Sequence, residues 1–249
     1  MEEFMRITAV IPARFGSSRL AGKPLKDVCG KPMIQHVYER VLKAELVGDV
    51  IVATDDERIV AAVESFGGQA KMTSKDHKSG TDRVAEVMRA ESADIVANVQ
   101  GDEPLIDPRM IDEAIQPLVD DPKLFAATLC TPILNKEDYN NPNVVKTAKD
   151  LQDNALFFSR SLIPYPRNRE GFQPFEHIGI YVFRYDFLMQ FVRLPQTPLE
   201  KVESLEQLRI LENGYKLRVT TTRYPYNAVS VDTQEDLDAV RAIIRGQAI

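Results

Sequence analysis

Short apolar runs rich in β-branched residues alternate with amphipathic segments through the first half of the chain. RITAVI, DVIVAT and DIVANV are typical of buried strands, and MIQHVYERVLKAE carries its apolar residues at helical spacing. Strands that are covered on both faces of a parallel sheet have this continuous apolar character. The sequence therefore predicts an α/β fold with a mostly parallel sheet and helices on both of its faces.

The pattern changes after about residue 130. NVVKTAKD and NALFFSR are predicted to be paired strands, SLIPYPRNREGFQPF an exposed excursion, and HIGIYVFR a further strand. LEKVESLEQLRILENG predicts one amphipathic helix that ends at Gly214. No linker is long enough to demand a second domain, so residues 1–249 are predicted to form a single domain.

Several residues are predicted to mark the ends of helices. Asp107, in front of a proline, is expected to be an N-cap, and Asp56 is expected to be an acid at a helix start. Thr233 is followed three residues later by Asp236, a variant of the capping box. Pro117 is expected to kink or end the helix that contains it.

The composition restricts the classes of protein to which the chain can belong. Its 249 residues carry a formal net charge of −6, which is unusual for a general nucleic-acid binder. No apolar stretch approaches the roughly 18 residues of a membrane span, and the acidic start, MEEFMRITAV, is unlike a secretory signal. Cys29 and Cys130 fit no metal or disulfide pattern. We therefore expect a cytoplasmic protein that binds neither nucleic acid nor membranes.

The segment IPARFGSSRLAGKPL, which follows the first predicted strand, has the composition of a phosphate-binding loop. It is not a Walker A motif, because one residue too many separates Gly16 from Gly22 and because Pro24 offers no hydroxyl to a metal ion. Its glycines still allow backbone N–H groups to approach a phosphate, and its arginines and lysines supply charge. A solvated basic loop would have the same composition.

Three other polar segments, ATDDE, SGTDR and QGDEPLI, follow the next predicted strands. Because the carboxyl ends of parallel strands meet at one edge of the sheet, we expect all four loops to converge there. Asp102 would then lie at the centre of a site lined by phosphate-binding groups. A carboxylate in such a place suits Mg²⁺, which usually takes one or two carboxylates together with phosphate oxygens.

Together with HIGIY, LEQLR and SVDTQEDL, these segments resemble the CMP-Kdo synthetases, the 3-deoxy-manno-octulosonate (Kdo) cytidylyltransferases of lipopolysaccharide biosynthesis. The resemblance extends over nearly the whole chain. It implies a three-layer nucleotide-diphospho-sugar transferase-like fold with a mostly parallel, mixed central sheet. It also implies a homodimer, a sugar-binding and dimerisation extension over about residues 144–187, and transfer of CMP from CTP to the anomeric hydroxyl of Kdo.

The resemblance further implies roles for individual residues. Arg14, Lys23 and Asp102 are expected to act in catalysis, and Asp102 and Asp232 to hold Mg²⁺. The residues expected to bind CTP are Ala13, Arg14, Ser18, Lys23, Thr54, Ser79, Gly80, Thr81, Arg83 and Gln100. The residues expected to bind the sugar are Arg160, His177, Tyr181, Glu206 and Gln207.

Residue types alone leave other interpretations open. Asp232 and Ser79 could serve only as helix caps, Lys23 as a solvated charge, and His177 as a structural histidine of its strand. Glu176 stands where the family more often has a basic residue, which raises the hypothesis of an amino-substituted Kdo (8-amino-3,8-dideoxy-manno-octulosonate) as acceptor. Another 2-keto-3-deoxy acid, sialic acid included, is a second alternative. A nucleotide-binding sensor without turnover is an alternative of a different class.

Overall fold

The structure is a computed structural model that describes residues 5–16, 19–226 and 229–247. Its strands are β1 (Ile7–Ala13), β2 (Asp27–Val28), β3 (Lys31–Pro32), β4 (Asp49–Thr54), β5 (Gln69–Met72), β6 (Ile95–Asn98), β7 (Ala126–Pro132), β8 (Lys146–Lys149), β9 (Ala155–Ser159), β10 (Phe175–Arg184) and β11 (Arg218–Thr221). Its α-helices are α1 (Met33–Val41), α2 (Glu57–Ser65), α3 (Gly80–Met88), α4 (Pro108–Asp120), α5 (Tyr185–Phe191), α6 (Pro198–Glu203), α7 (Leu208–Glu212) and α8 (Gln234–Ile244). Two compact units can be distinguished, one comprising Met1–Asp112 with Tyr224–Ile249 and the other Glu113–Arg223.

The first unit contains a parallel sheet in the order β6-β1-β4-β5. Val10 of β1 is paired with Ile51 of β4 on one side and with Asn98 of β6 on the other. Strands β1, β4 and β6 are buried along nearly their whole length, as their continuous apolar character predicts. The predicted parallel α/β arrangement is therefore confirmed in this unit.

The second unit contains a mixed arrangement of strands. Strand β11 pairs with β7 in parallel, whereas β7 with β10, β10 with β8, and β8 with β9 are antiparallel pairs. The predicted pairing of NVVKTAKD with NALFFSR is confirmed as the β8–β9 hairpin. Strand β10 is irregular between Ile178 and Tyr181, where its register against β7 shifts.

The predicted helix starts are also confirmed. Asp56 accepts a hydrogen bond from the Arg58 backbone N–H. The hydrogen bond of its carboxylate with the Arg58 side chain first, and then this backbone bond, lower the pKa of Asp56 to about 2. The Asp107 carboxylate accepts the N–H of Arg109 at 3.0 Å. Thr233 caps α8 in a capping box. These side chains satisfy N–H groups that the first turn of a helix leaves without an intrahelical partner.

The structure corrects one predicted helix and narrows the prediction about a second. LEKVESLEQLRILENG forms α6 and α7 in place of one helix, because Ser204 between them adopts a left-handed backbone with φ of 52°. The break lets the Glu203 carboxylate bond Ser159 at 2.7 Å, so tertiary contacts override the helical pattern. Of the two effects predicted for Pro117, a kink or an end of its helix, the end is excluded, since α4 continues to Asp120.

Within the described part of the chain, no helix is both long enough and apolar enough to cross a membrane.

Candidate active site

A cavity of about 380 Å³ lies in the first unit at the carboxyl ends of β1 and β6. Three of the four loops predicted to converge line it, namely the opening loop, the SGTDR segment at the start of α3 and the QGDEP loop after β6. The segment before α8 adds Asp232. The lining residues are Pro12, Ala13, Arg14, Arg19, Lys23, Pro24, His77, Lys78, Ser79, Gly80, Arg83, Gln100, Gly101, Asp102 and Asp232.

Close backbone packing at the end of β1 fixes the cavity wall. A Cβ atom on Gly101 would lie 2.8 Å from the carbonyl oxygen of Pro12, so a side chain at this position forces the backbone to move. At Gly80 a Cβ atom would lie 3.2 Å from the Pro12 ring. Glycine at these two positions lets the backbone next to Asp102 and Ser79 pack closely against Pro12.

Lys23 lies between the two aspartates that are predicted to hold a metal ion. Its ammonium donates to Oδ2 of Asp102 at 2.8 Å and to Oδ1 of Asp232 at 3.1 Å. The Arg19 guanidinium lies 2.9 Å from Oδ2 of Asp232. Two carboxylates that are far apart in the sequence therefore face the same cation.

Two features bring Asp232 to this position. The backbone N–H of Val231 donates to the Asp102 carbonyl at 2.9 Å, and the buried side chain of Val231 belongs to one apolar cluster with Leu20 of the opening loop. Thr233, and not Asp232, is the N-cap of α8. The interpretation of Asp232 as a helix cap is therefore wrong, and its carboxylate is available to the cavity.

Arg83 is fixed in the cavity wall by the ATDDE loop. Its guanidinium donates to Oδ2 of Asp55 at 2.9 Å and also bonds the Thr73 hydroxyl. Oδ1 of Asp55 accepts the backbone N–H of Phe15 at 3.3 Å, so one carboxylate ties α3 to the opening loop. The Thr54 carbonyl accepts two hydrogen bonds from Thr73. The ATDDE loop, the fourth of the predicted loops, therefore does not line the cavity but stabilises residues that do.

The lining suits a ligand that combines phosphate groups with a divalent cation. Five arginine and lysine side chains line the cavity against two carboxylates, in a chain whose net charge is −6. The amino end of α3, capped by Ser79, adds the favourable end of a helix dipole. Among the described residues, no three His, Cys, Asp or Glu side chains are grouped as a metal site. The two aspartates nonetheless fit Mg²⁺, because they already share one cation, the Lys23 ammonium, and because Mg²⁺ takes further ligands from phosphate and water.

Seven of the ten residues predicted to bind CTP line this cavity. Thr54 and Thr81 do not line it, since both are buried and their side chains bond neighbouring protein groups. Ser18 lies outside the described residues. The seven lining residues are Ala13, Arg14, Lys23, Ser79, Gly80, Arg83 and Gln100.

A second group of predicted residues meets around His177 in the second unit. The Tyr181 hydroxyl donates to Oε1 of Gln207 at 3.0 Å, and Nε2 of Gln207 lies 3.5 Å from Nδ1 of His177. On the other side of the ring, Nε2 lies 2.9 Å from the Thr128 hydroxyl, which itself donates to the Ile180 carbonyl at 2.7 Å. One assignment of protons satisfies this series of hydrogen bonds: Nδ1 of His177 accepts from Gln207, and Nε2–H of His177 donates to Thr128.

His177 is a neutral, buried histidine. Burial lowers the pKa of His177 to about 3, and the rings of Phe158 and Tyr181 lie 4.9 and 5.4 Å from its own. The imidazole therefore stays uncharged at neutral pH and can position a ligand or a neighbouring side chain without exchanging a proton.

The other residues predicted to bind the sugar have main-chain contacts. The Arg160 guanidinium donates to the carbonyls of Glu203 at 2.7 Å and Pro142 at 2.8 Å. Glu206 directly precedes Gln207, and its carbonyl accepts the N–H of Arg209 at 3.0 Å. Of the five predicted residues, the structure thus brings His177, Tyr181 and Gln207 into one cluster.

Glu176 does not belong to that cluster. Successive side chains of a strand point to opposite faces, and the charged groups that act on Glu176 are Asp138 and Lys146. Burial first, and then the charge of Asp138, raise the pKa of Glu176 to about 7, while Lys146 opposes the change. This placement weakens the hypothesis that Glu176 selects an amino-substituted acceptor.

A family model described as cytidylyltransferase matches residues 8–218. The chain belongs to the cytidylyltransferase family. It is 54% identical to the 3-deoxy-manno-octulosonate cytidylyltransferase of Geotalea daltonii, over 95% of this chain and 97% of that protein. The protein of the same name from Geobacter sulfurreducens is 52% identical, over 95% of this chain and 98% of its own. This cytidylyltransferase is a nucleotidyltransferase, and the resemblance that its motifs indicate is confirmed.

A solved structure shows the same fold. The structure of CMP:2-keto-3-deoxy-manno-octonic acid synthetase complexed with CTP is similar with a TM-score of 0.92 and 48% identity, and covers 97% of this chain and 99% of that one. The predicted fold class, α/β with a mixed and mostly parallel sheet, is therefore confirmed.

Some residues that build the sites of this cytidylyltransferase are not singled out by sequence motifs. Lys78 lines the cavity and directly precedes the SGTDR segment. Gly101 and Asp55 lie inside the quoted motifs, but their packing and pairing roles depend on residues distant in sequence. Thr128 carries no signal at all, because it is an ordinary strand residue whose partner, His177, is 49 positions away.

Proposed function

We propose that this cytidylyltransferase transfers CMP from CTP to the anomeric hydroxyl of Kdo, giving CMP-Kdo and pyrophosphate for lipopolysaccharide biosynthesis. The observation that carries the proposal is the cavity of the first unit, where Asp102 and Asp232 face one cation among basic side chains. The names of its relatives and of the similar structure that contains CTP support the same substrates.

The triphosphate of CTP is proposed to lie along the opening loop. Arg14 and Lys23 neutralise its negative charge, with Arg19 in a supporting role, because guanidinium and ammonium groups form charge-assisted hydrogen bonds with phosphate oxygens. The N-terminus of α3 at Ser79 and Gly80 is proposed to face the nucleoside. Arg83, clamped by Asp55 at 2.9 Å, keeps that helix in place.

Asp102 and Asp232 are proposed to hold Mg²⁺ with phosphate oxygens and water as the remaining ligands. When bound, an ion of this kind polarises the α-phosphoryl group and stabilises charge on the leaving pyrophosphate. A readout independent of turnover is the paramagnetic resonance signal of free Mn²⁺ in the presence of CTP. Asp102→Asn is expected to leave more Mn²⁺ free than the wild type does.

The transfer is proposed to be a single in-line displacement. A bond forms between the sugar hydroxyl oxygen and the α-phosphorus, and the bond from that phosphorus to the β-phosphate oxygen breaks. The protein contributes orientation and charge neutralisation. No covalent enzyme intermediate is proposed, because the Ser79 hydroxyl caps α3 and the His77 ring is bonded to Glu86.

The sugar is proposed to bind at the His177 cluster of the second unit. The neutral imidazole of His177, the phenol of Tyr181 and the amide of Gln207 are groups that recognise hydroxyls. Arg160 is proposed to grip the Kdo carboxylate and Glu206 to bind a hydroxyl. Tyr181→Phe is expected to raise KM for Kdo while leaving KM for CTP nearly unchanged.

The experiment that tests the proposal is a pyrophosphate-release assay with Mg²⁺, in which CTP, UTP and ATP are compared with Kdo as acceptor. Release with CTP and Kdo, lost in Asp102→Asn and kept in the control Asp49→Asn, supports it. Asp49 is an exposed acid at the start of β4. Release with UTP or ATP that equals release with CTP would contradict it.

The alternatives give different results in the same assay. Release only with the 8-amino analogue, or only with another 2-keto-3-deoxy acid, keeps the chemistry and changes the acceptor. Saturable CTP binding without release for any acceptor identifies a nucleotide-binding sensor.

We propose that the protein is a cytoplasmic homodimer. Leu151, Leu156 and Tyr165 of the second unit are strongly exposed apolar side chains within or beside the region expected to form the interface. Light scattering should give twice the 28.1 kDa mass of one chain. A monomer mass at micromolar concentration would exclude the dimer, and cell fractionation tests the location.

A further inference from the structure

The second unit contains a cavity of about 420 Å³ that shares no residue with the sites described above. It is formed by the loop before β7, the turn between β8 and β9, and the segment that leads into β11. The reaction proposed for the protein does not use this cavity.

Backbone hydrogen bonds hold the walls of this cavity together. The N–H of Ala155 donates to the Leu217 carbonyl at 2.8 Å, and the N–H of Val219 donates to the Asp153 carbonyl at 2.7 Å. Arg218, between these two contacts, is also paired with β7. The cavity is therefore built on fixed backbone, as binding sites usually are.

Three positive side chains line the cavity, namely Lys123, Lys216 and Arg218. Across the described residues, none of the three has a side-chain hydrogen bond or an ion pair, and Nε of Arg218 is buried without an acceptor. Asp121, an acid of the lining, already accepts the backbone N–H of Lys123 at 2.9 Å. Asp150 interacts electrostatically with Lys216, but its carboxylate already accepts hydrogen bonds from N–H groups of the β8–β9 turn. In an acidic chain, such a cluster favours an anion.

The rest of the lining suits a sugar ring with hydroxyl groups. The Phe125 ring is 46% exposed, and Tyr215 meets it edge-on at 6.2 Å, with the Tyr215 hydroxyl fixed by Gln190 at 2.6 Å. Nδ2 of Asn154 is bonded to Asp150 at 3.0 Å, which fixes the amide, and its Oδ1 has no donor among the described residues. An aromatic face and an amide acceptor recognise the C–H face and a hydroxyl of a sugar.

We infer that this cavity binds a phosphorylated sugar. Lys123, Lys216 and Arg218 hold the phosphate, Asn154 accepts a hydroxyl, and the ring lies on Phe125. A free sugar phosphate and the sugar-phosphate part of a nucleoside monophosphate share this chemistry. The inference does not depend on the proposed transfer reaction.

The test is isothermal titration of the full chain with ribose 5-phosphate, with uridine 5′-monophosphate and with uncharged ribose. The double variant Lys123→Gln/Lys216→Gln is compared with the charge-matched control Lys136→Gln/Lys201→Gln, which changes two exposed lysines of the same unit. Arg218→Gln tests the contribution of the Arg218 guanidinium, whose Nε is buried without an acceptor.

Ribose 5-phosphate is expected to bind with an affinity that falls about tenfold or more in the double variant, because two charged contacts with the phosphate are lost. The control pair should bind as the wild type does, and ribose should not bind. Stronger binding of uridine 5′-monophosphate would identify a nucleotide as the ligand. Equal affinity in the double variant, or no binding of either phosphate, would overturn the inference.

Discussion

Replacing Glu176 by glutamine should make the protein more stable at high pH and change little at low pH. Glu176 lies on β10, opposite Lys146 of β8 and Thr131 of β7. Burial and the nearby Asp138 raise its pKa to about 7, against an ordinary value of 4.5. The folded protein therefore binds a proton at Glu176 more tightly than the unfolded chain does.

The sign and size of the effect follow from this difference. A carboxyl whose pKa is raised by folding contributes stability that is fully present below its unfolded pKa and is lost as the pH rises through the folded pKa. One pKa unit corresponds to about 1.4 kcal/mol, so the whole change is about 3 kcal/mol, and about 2 kcal/mol of it falls between pH 5 and pH 8. Because glutamine cannot ionise, the stability of Glu176→Gln does not fall in this way as the pH rises.

The assay is urea unfolding at several pH values between 5 and 8. The free energy of unfolding of Glu176→Gln, minus that of the wild type, should rise by about 2 kcal/mol across this range. The exposed Glu170→Gln serves as the control and should show a flat difference. A flat difference for Glu176→Gln as well, or one that falls with pH, would refute the account of a half-buried carboxyl whose pKa is raised by folding.

Three further substitutions probe the two sites. Asp102→Asn should unfold at the same urea concentration as the wild type. Its turnover should fall at least about a hundredfold, because charge stabilisation at a phosphoryl group is removed. A folded and active variant would exclude a catalytic role for Asp102. Gly101→Ala places a Cβ atom 2.8 Å from the Pro12 carbonyl oxygen. The free energy of unfolding of this variant should therefore fall by about 1 to 3 kcal/mol. An unchanged value would show that the QGDEP loop can move to accept the side chain. Thr128→Val leaves Nε2–H of His177 without an acceptor and should cost about 1 to 3 kcal/mol of stability, while Thr128→Ser should recover most of it.

The main features of the fold could be predicted because they depend on local patterns. Continuous apolar runs such as DVIVAT identify buried parallel strands, and Thr233 with Asp236 identifies the start of α8 from four residues alone. The prediction of a single helix across LEQLR was wrong because the structure there depends on contacts that are distant in sequence. Its break at Ser204 is stabilised by contacts of Glu203 with Ser159 and Arg160, more than 40 positions away.

The cavity of the first unit was predictable in outline and not in detail. Motifs at the ends of parallel strands indicate which loops meet, since the geometry of the sheet requires it. They do not indicate that Asp55 clamps Arg83, or that Lys23 bridges Asp102 and Asp232. These pairings depend on side-chain directions that only the folded backbone defines.

The measurement that tests the central claim most directly follows the phosphorus atoms of CTP. CTP labelled at the α-phosphate, and separately at the γ-phosphate, is incubated with Kdo, Mg²⁺ and the protein, and the products are separated. The account predicts that the α-label appears in a sugar nucleotide and the γ-label in pyrophosphate, and that both products vanish in Asp102→Asn. Transfer of the γ-label to the sugar, or release of the α-label as free CMP without a sugar nucleotide, would contradict it.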